Sequence, residues 1–119
     1  MKTQAMFDKV VRHLRKQGQK SINRDSCLYR KVTEEGQVLK CAVGCLITDS
    51  KYDSQMEGNG LDTIREHFPK ALPKLTEKQF VILKSLQCIH DLNKVDQWED
   101  EFRDIAADIR GLKYRKPRG

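Results

Sequence analysis

The most apolar stretch of the chain is only seven residues long: Cys41-Ala42-Val43-Gly44-Cys45-Leu46-Ile47. Nothing approaches the ~18 consecutive apolar residues of a membrane span. The run is also too short and too rich in small residues for a long helix. It reads as one or two buried helical turns, with Gly44 allowing another backbone to come close. A chain of 119 residues fits one domain around one modest core. The rest of the sequence must therefore supply amphipathic elements to cover this turn.

Four segments have helical character. Met6, Phe7, Val10, Val11 and Leu14 recur at helical spacing and predict a helix over 4–17, with Thr3 as N-cap and Gly18 just past its end. Leu61 to Phe68 predicts a short helix stopped by Pro69. Thr76-Glu77-Lys78-Gln79 has the form of a capping box and opens a helix to about Leu92, with Phe80, Leu83, Leu86, Ile89 and His90 inward. A last helix spans about 96–110 on a seam of Trp98, Phe102, Ile105 and Ile109, closed by Gly111 with Leu112 folding back.

The clearest β signal is Cys27–Val32 and Gln37–Cys41 around Thr33-Glu34-Glu35-Gly36, a hairpin that must lean on the helices. Residues 19–26 read as a loop, and so do 48–60. The expectation is an α+β, mainly α fold: about four helices around a buried apolar turn, with one β-hairpin. Residues 1–112 form the globular domain, and 113–119 a basic, frayed tail.

The net charge of +6 is unevenly placed. Residues 1–24 carry seven Lys/Arg against Asp8 alone, residues 93–111 carry three against six acids, and the tail adds four positives. The candidate binding surface is therefore Lys9, Arg12, Arg15 and Lys16 on the first helix, with Lys113, Arg115, Lys116 and Arg118 of the tail. It suits an acidic partner, protein or nucleic acid. No helix-turn-helix, stacking sheet or finger pattern accompanies it. Charge reversal at Arg12, Arg15 and Lys16 is expected to abolish binding without unfolding.

Two metal readings compete with plain packing. Cys41 and Cys45 share a helical face, and Cys27 opens the strand whose partner ends at Cys41. With Cys88 or His90 these would complete a tetrahedral zinc site, though the usual C-x2-C knuckle is absent. His90-Asp91 also invites comparison with metal-dependent phosphohydrolases, with His67 as first ligand and Asp104 or Asp108 as last. Adjacent helical residues point about 100° apart, which disfavours a shared ion. That reading predicts a pocket around His67, His90 and the cysteines, for hydrolysis or small-ligand sequestration.

The acid-sprinkled loop 49–58 lacks calcium-loop spacing, and Gly58-Asn59-Gly60 matches no phosphate cradle. The sequence thus points to a non-enzymatic binding protein without a cofactor. Met1-Lys2-Thr3-Gln4 leads straight into an amphipathic pattern, without the apolar stretch of a signal peptide. That predicts a cytoplasmic protein with reduced thiols, monomeric or homodimeric and with no membrane partner.

Several blocks resemble a family of small uncharacterised proteins of phages and bacteria. They are Cys27-Leu28-Tyr29-Arg30, Lys40 through Ile47, Tyr52 with Met56-Glu57-Gly58, and Leu86-Gln87-Cys88-Ile89-His90-Asp91 followed by Trp98 and Ile105-Ala106. The resemblance brings no established activity. It implies a phage accessory protein that acts in the host cytoplasm by binding and redirecting a host or host-defence protein. It also implies that Cys27, Cys41, Gly44, Cys45, Tyr52 and Glu57 form one structural unit, in which Glu57 caps the following helix.

Overall fold

The computed structural model describes residues 1–24 and 26–117. Among these, the chain forms four α-helices and two short antiparallel hairpins, an α+β fold that is mainly α. The helices are α1 (Thr3–Gln17), α2 (Leu61–His67), α3 (Glu77–Leu92) and α4 (Trp98–Asp108). The strands are β1 (Ile22–Asn23), β2 (Ser26–Cys27), β3 (Lys31–Val32) and β4 (Val38–Leu39).

Helix α3 lies at the centre, packed on both α1 and α4. Its capping box is complete: Thr76 accepts from the Gln79 amide while the Gln79 side chain accepts from Thr76 N–H. The Gln79 side-chain amide also donates to Met1 O at 2.8 Å, which ties the chain start to α3. Lys2 therefore stands at the N-cap of α1, and Thr3, expected there, is inside the helix and accepts from Gln79. At the other end Gly18 takes the left-handed conformation (φ 66°) and closes α1 onto Leu14 O.

The apolar run forms the centre of the core, with Cys41, Ala42 and Val43 fully buried. It turns once through a 3₁₀ helix, Gly44–Leu46, against α1. A Cβ on Gly44 would lie 2.0 Å from the carbonyl oxygen of Tyr29, so only glycine fits this crossing. Around it pack Met6, Phe7, Val10 and Leu14 of α1, Leu83 and Leu86 of α3, and Trp98 and Phe102 of α4. Trp98 and Phe102 are fully buried, whereas Ile105 and Ile109 of the same seam are only partly covered.

The β region differs from the expectation. The hairpin β3–β4 forms, with Lys31 opposite Leu39 and Gly36 at φ 84° in its turn, but each strand is two residues long. Cys27 belongs instead to a hairpin in the segment read as a loop, where it pairs with Ile22. The break between β2 and β3 has a physical cause. The amide groups of Tyr29 and Arg30, which a continuous strand would use in its ladder, donate to the Glu57 carboxylate.

Helix α4 begins later than expected, after a 3₁₀ turn over Val95–Gln97. Beyond it Gly111 (φ 85°) turns the chain, and Leu112 is buried. The start of the segment expected to fray is anchored: Lys113 N–H donates to Gln4 Oε1 at 2.8 Å and Tyr114 OH to Glu99 at 2.7 Å. No helix of the described residues is long and apolar enough to cross a membrane.

Candidate functional site

The two basic ends of the sequence meet. Anchoring of residues 112–116 along α1 creates a groove of about 580 Å³ whose walls include Arg12, Arg15, Lys16, Arg115 and Lys116. Phe7 and Val11 lie beneath it but face inward on α1 and are almost fully buried, so the accessible lining is chiefly the charged side chains. One acid, Asp8, stands in the wall 3.9 Å from the Arg115 guanidinium.

The cations there are not equivalent. Arg15 makes a bidentate pair with Glu99 at the start of α4, through Nε at 2.9 Å and Nη2 at 2.7 Å. Its Nη2 also donates to Arg115 O at 3.0 Å, so this side chain pins the C-terminal segment. Arg15 lowers the Glu99 carboxyl below the usual range, burial opposes it, and Tyr114 OH assists. Arg15 thus spends most of its charge inside the protein. Arg12, Lys16, Arg115 and Lys116 keep exposed side chains facing the groove.

Lys9 and Lys113 are exposed outside its walls, Lys9 being close enough to act on the Cys45 thiol. Arg118 lies outside the described residues.

The cysteines do not converge as a set. All four are free. Cys88 is exposed on α3, while the Cys45 thiol donates to Ala42 O and is pushed up to about 12 by burial. Cys27 meets His90 and Asp91, one ligand atom of each lying within 4.8 Å of the others, and Cys41 adjoins it. His67, Asp104 and Asp108 are exposed and stand outside this trio.

The hydrogen bonding of the trio is already complete. His90 is fully buried, and its Nε2 accepts the Ser21 amide at 3.0 Å. The proton must then sit on Nδ1, which donates to Asp91 Oδ1 at 2.8 Å. Gln87 donates to both Asp91 and the Cys27 sulfur. The neighbouring Cys41 and burial both raise the Cys27 thiol far above its ordinary value, so it is neither a thiolate ligand nor a nucleophile. A metal on His90 Nδ1 would protonate Nε2 and set it against the Ser21 N–H. These residues therefore fit a fastener between the β1–β2 hairpin and α3 better than an ion site.

A second network joins Gly44, Tyr29, Tyr52 and Glu57. The Glu57 carboxylate accepts from Tyr29 N–H at 2.8 Å, Arg30 N–H at 3.2 Å and Tyr52 OH at 2.7 Å. Tyr29 OH closes the circuit on Asn59 O. Glu57 therefore holds this loop rather than capping α2, whose N-cap is Gly60. Burial first, and then Glu57, pushes the Tyr52 phenol up to about 12.

The arrangement Arg15–Glu99–Tyr114 was beyond sequence reasoning, because its members lie 84 and 15 residues apart. Asp8 was visible as the one acid in a basic segment, but nothing marked it as a groove residue.

Compared with family models, with curated proteins and with solved structures, the chain matches none. The chemistry of the groove alone must carry its reading.

Proposed function

We propose that this chain is a non-enzymatic binding protein that holds an acidic segment of another protein in the groove between α1 and residues 112–116. The single observation that carries this reading is the groove's makeup: Arg12, Lys16, Arg115 and Lys116 ranged along one groove assembled from both ends of the chain, with Arg115 alone of the four paired to an acid, Asp8, among the described residues. Such a surface suits a carboxylate-rich peptide. In keeping with the resemblance to small phage proteins, the partner is a host protein whose activity is modulated by direct contact.

Nucleic acid is the rival partner, and one feature weighs against it: the groove walls carry no exposed aromatic face on which a base would stack.

The test is capture of the tagged protein's partner from a bacterial lysate, split into nuclease-treated and untreated halves. A stoichiometric protein retained in both halves supports the proposal. Capture that disappears with nuclease, with affinity falling steeply as salt rises, transfers the groove to nucleic acid.

A further inference from the structure

Three residues of the basic groove lie in one row. Asp8, Arg12 and Lys16 stand four residues apart on α1, so they follow one another along a single helix face at steps of about 6 Å. Asp8 is the one acid among the residues that line the groove. Along the row the charge therefore changes sign once, between Asp8 and the two cations that follow it.

The Asp8 carboxylate is fixed rather than solvated, its side chain being only 15% exposed. Its Oδ1 accepts from the Gln4 side-chain amide at 2.9 Å. Gln4 is held in turn, because the same nitrogen donates to Lys113 O and its Oε1 accepts from Lys113 N–H, both at 2.8 Å. The other carboxylate oxygen, Oδ2, faces the Arg115 guanidinium at 3.9 Å, too far for a hydrogen bond. Asp8 thus offsets the charge of Arg115 without occupying its donors.

The two ends of the groove are consequently unlike. Charge is cancelled where Asp8 meets Arg115, and it is positive where Arg12 and Lys16 stand exposed. A carboxylate brought to the first end must share Arg115 with Asp8. One brought to the second end meets cations.

Spacing and width both suit an extended occupant. Alternate side chains of an extended chain share a face and recur at about 6.6 Å, close to the step of the row. Spread over the roughly 12 Å from Asp8 to Lys16, the 580 Å³ groove has a mean cross-section of about 50 Å², too narrow for a helix about 10–12 Å wide with its side chains.

We propose, resting on the reading of the groove as an acidic-peptide site, that Asp8 sets the register of the bound segment. The segment is extended, its carboxylates lie against Arg12 and Lys16 at every second residue, and the residue that reaches Asp8 is uncharged.

Two fluorescein-labelled peptides test this by anisotropy at low ionic strength: Gly-Glu-Gly-Glu-Gly-Glu-Gly, and the same peptide with Gln for its first Glu. A site that merely sums charge prefers the peptide with three carboxylates. Wild type is expected to bind the two within about twofold, whereas Asp8→Asn is expected to favour three carboxylates by about fivefold. Asparagine keeps an oxygen for Gln4, so this variant should retain the melting temperature, and a purely structural role for Asp8 would leave the preference between peptides unmoved. Wild type gaining as much from the third carboxylate as Asp8→Asn does would overturn the role of Asp8 alone, provided Arg12→Glu/Lys16→Glu weakens both peptides. No binding of either peptide to wild type, or binding indifferent to that double variant, would overturn the acidic-peptide reading of the groove and this inference with it.

Discussion

Gly44 shows how a single missing methyl group fixes the centre of the fold. A Cβ at 2.0 Å from Tyr29 O cannot be accommodated by rotating a side chain, because the obstacle is backbone. Gly44→Ala is therefore expected to cost about 2–3 kcal/mol, read as a lowered midpoint in denaturant unfolding. Glu57 works beside it, since its carboxylate satisfies two backbone donors that have no strand partner. Glu57→Ala should destabilise by about 3 kcal/mol by stranding both, whereas Glu57→Gln, which keeps an acceptor, should lose less. Equal loss in the two variants would mean that packing, not the carboxylate, is what matters. The closeness required at Gly44 was legible in a glycine set within the most apolar run. The partners of Glu57 were not, because they lie 27 and 28 residues upstream and no local pattern encodes such a bond.

Elements with strong periodicity were readable, and those that depend on distant partners were not. Five apolar residues at helical spacing define α1, and Thr76 with Gln79 marks the start of α3. The hairpin β1–β2 escaped notice because Arg24 takes the left-handed conformation (φ 57°) at its turn, where sequence rules look for glycine or asparagine. Leu112 was legible as a residue that folds back, but the segment after it was read as frayed because its charges hide its anchors, the Lys113 amide and Tyr114. Those anchors predict a pH effect. Glu99 is ionised at lower pH in the folded protein than in the unfolded chain, because Arg15 holds it there. Its contribution is therefore complete above the ordinary glutamate range and is lost as pH falls through the lowered folded value. Exchange protection of the Lys113 amide should accordingly hold near neutrality and collapse in acid before the core unfolds. Glu99→Gln should loosen the segment at neutral pH by the same measure, and unchanged protection in that variant would assign the docking to Leu112 and the Gln4 bonds to Lys113.

Over the whole molecule, charge and packing are separated. The core is built on the buried turn and the inner faces of α1, α3 and α4, and the cations gather where the two chain ends meet. Composition by segment made the basic ends visible, but it could not distinguish Arg15, which the fold uses, from Arg12 and Lys16, which it leaves free. That distinction changes the experiment. Reversing Arg15 would break its pair with Glu99 and release the groove wall, so loss of binding in such a variant would say little about recognition. The measurement that bears most directly on the proposed function is capture from nuclease-treated bacterial lysate, comparing wild type with Arg12→Glu/Lys16→Glu at equal folded concentration. The account predicts that wild type retains a stoichiometric protein partner and that the double variant, with unchanged melting temperature, loses it. Retention of the same partner at wild-type yield by the folded variant would contradict the groove as the binding site.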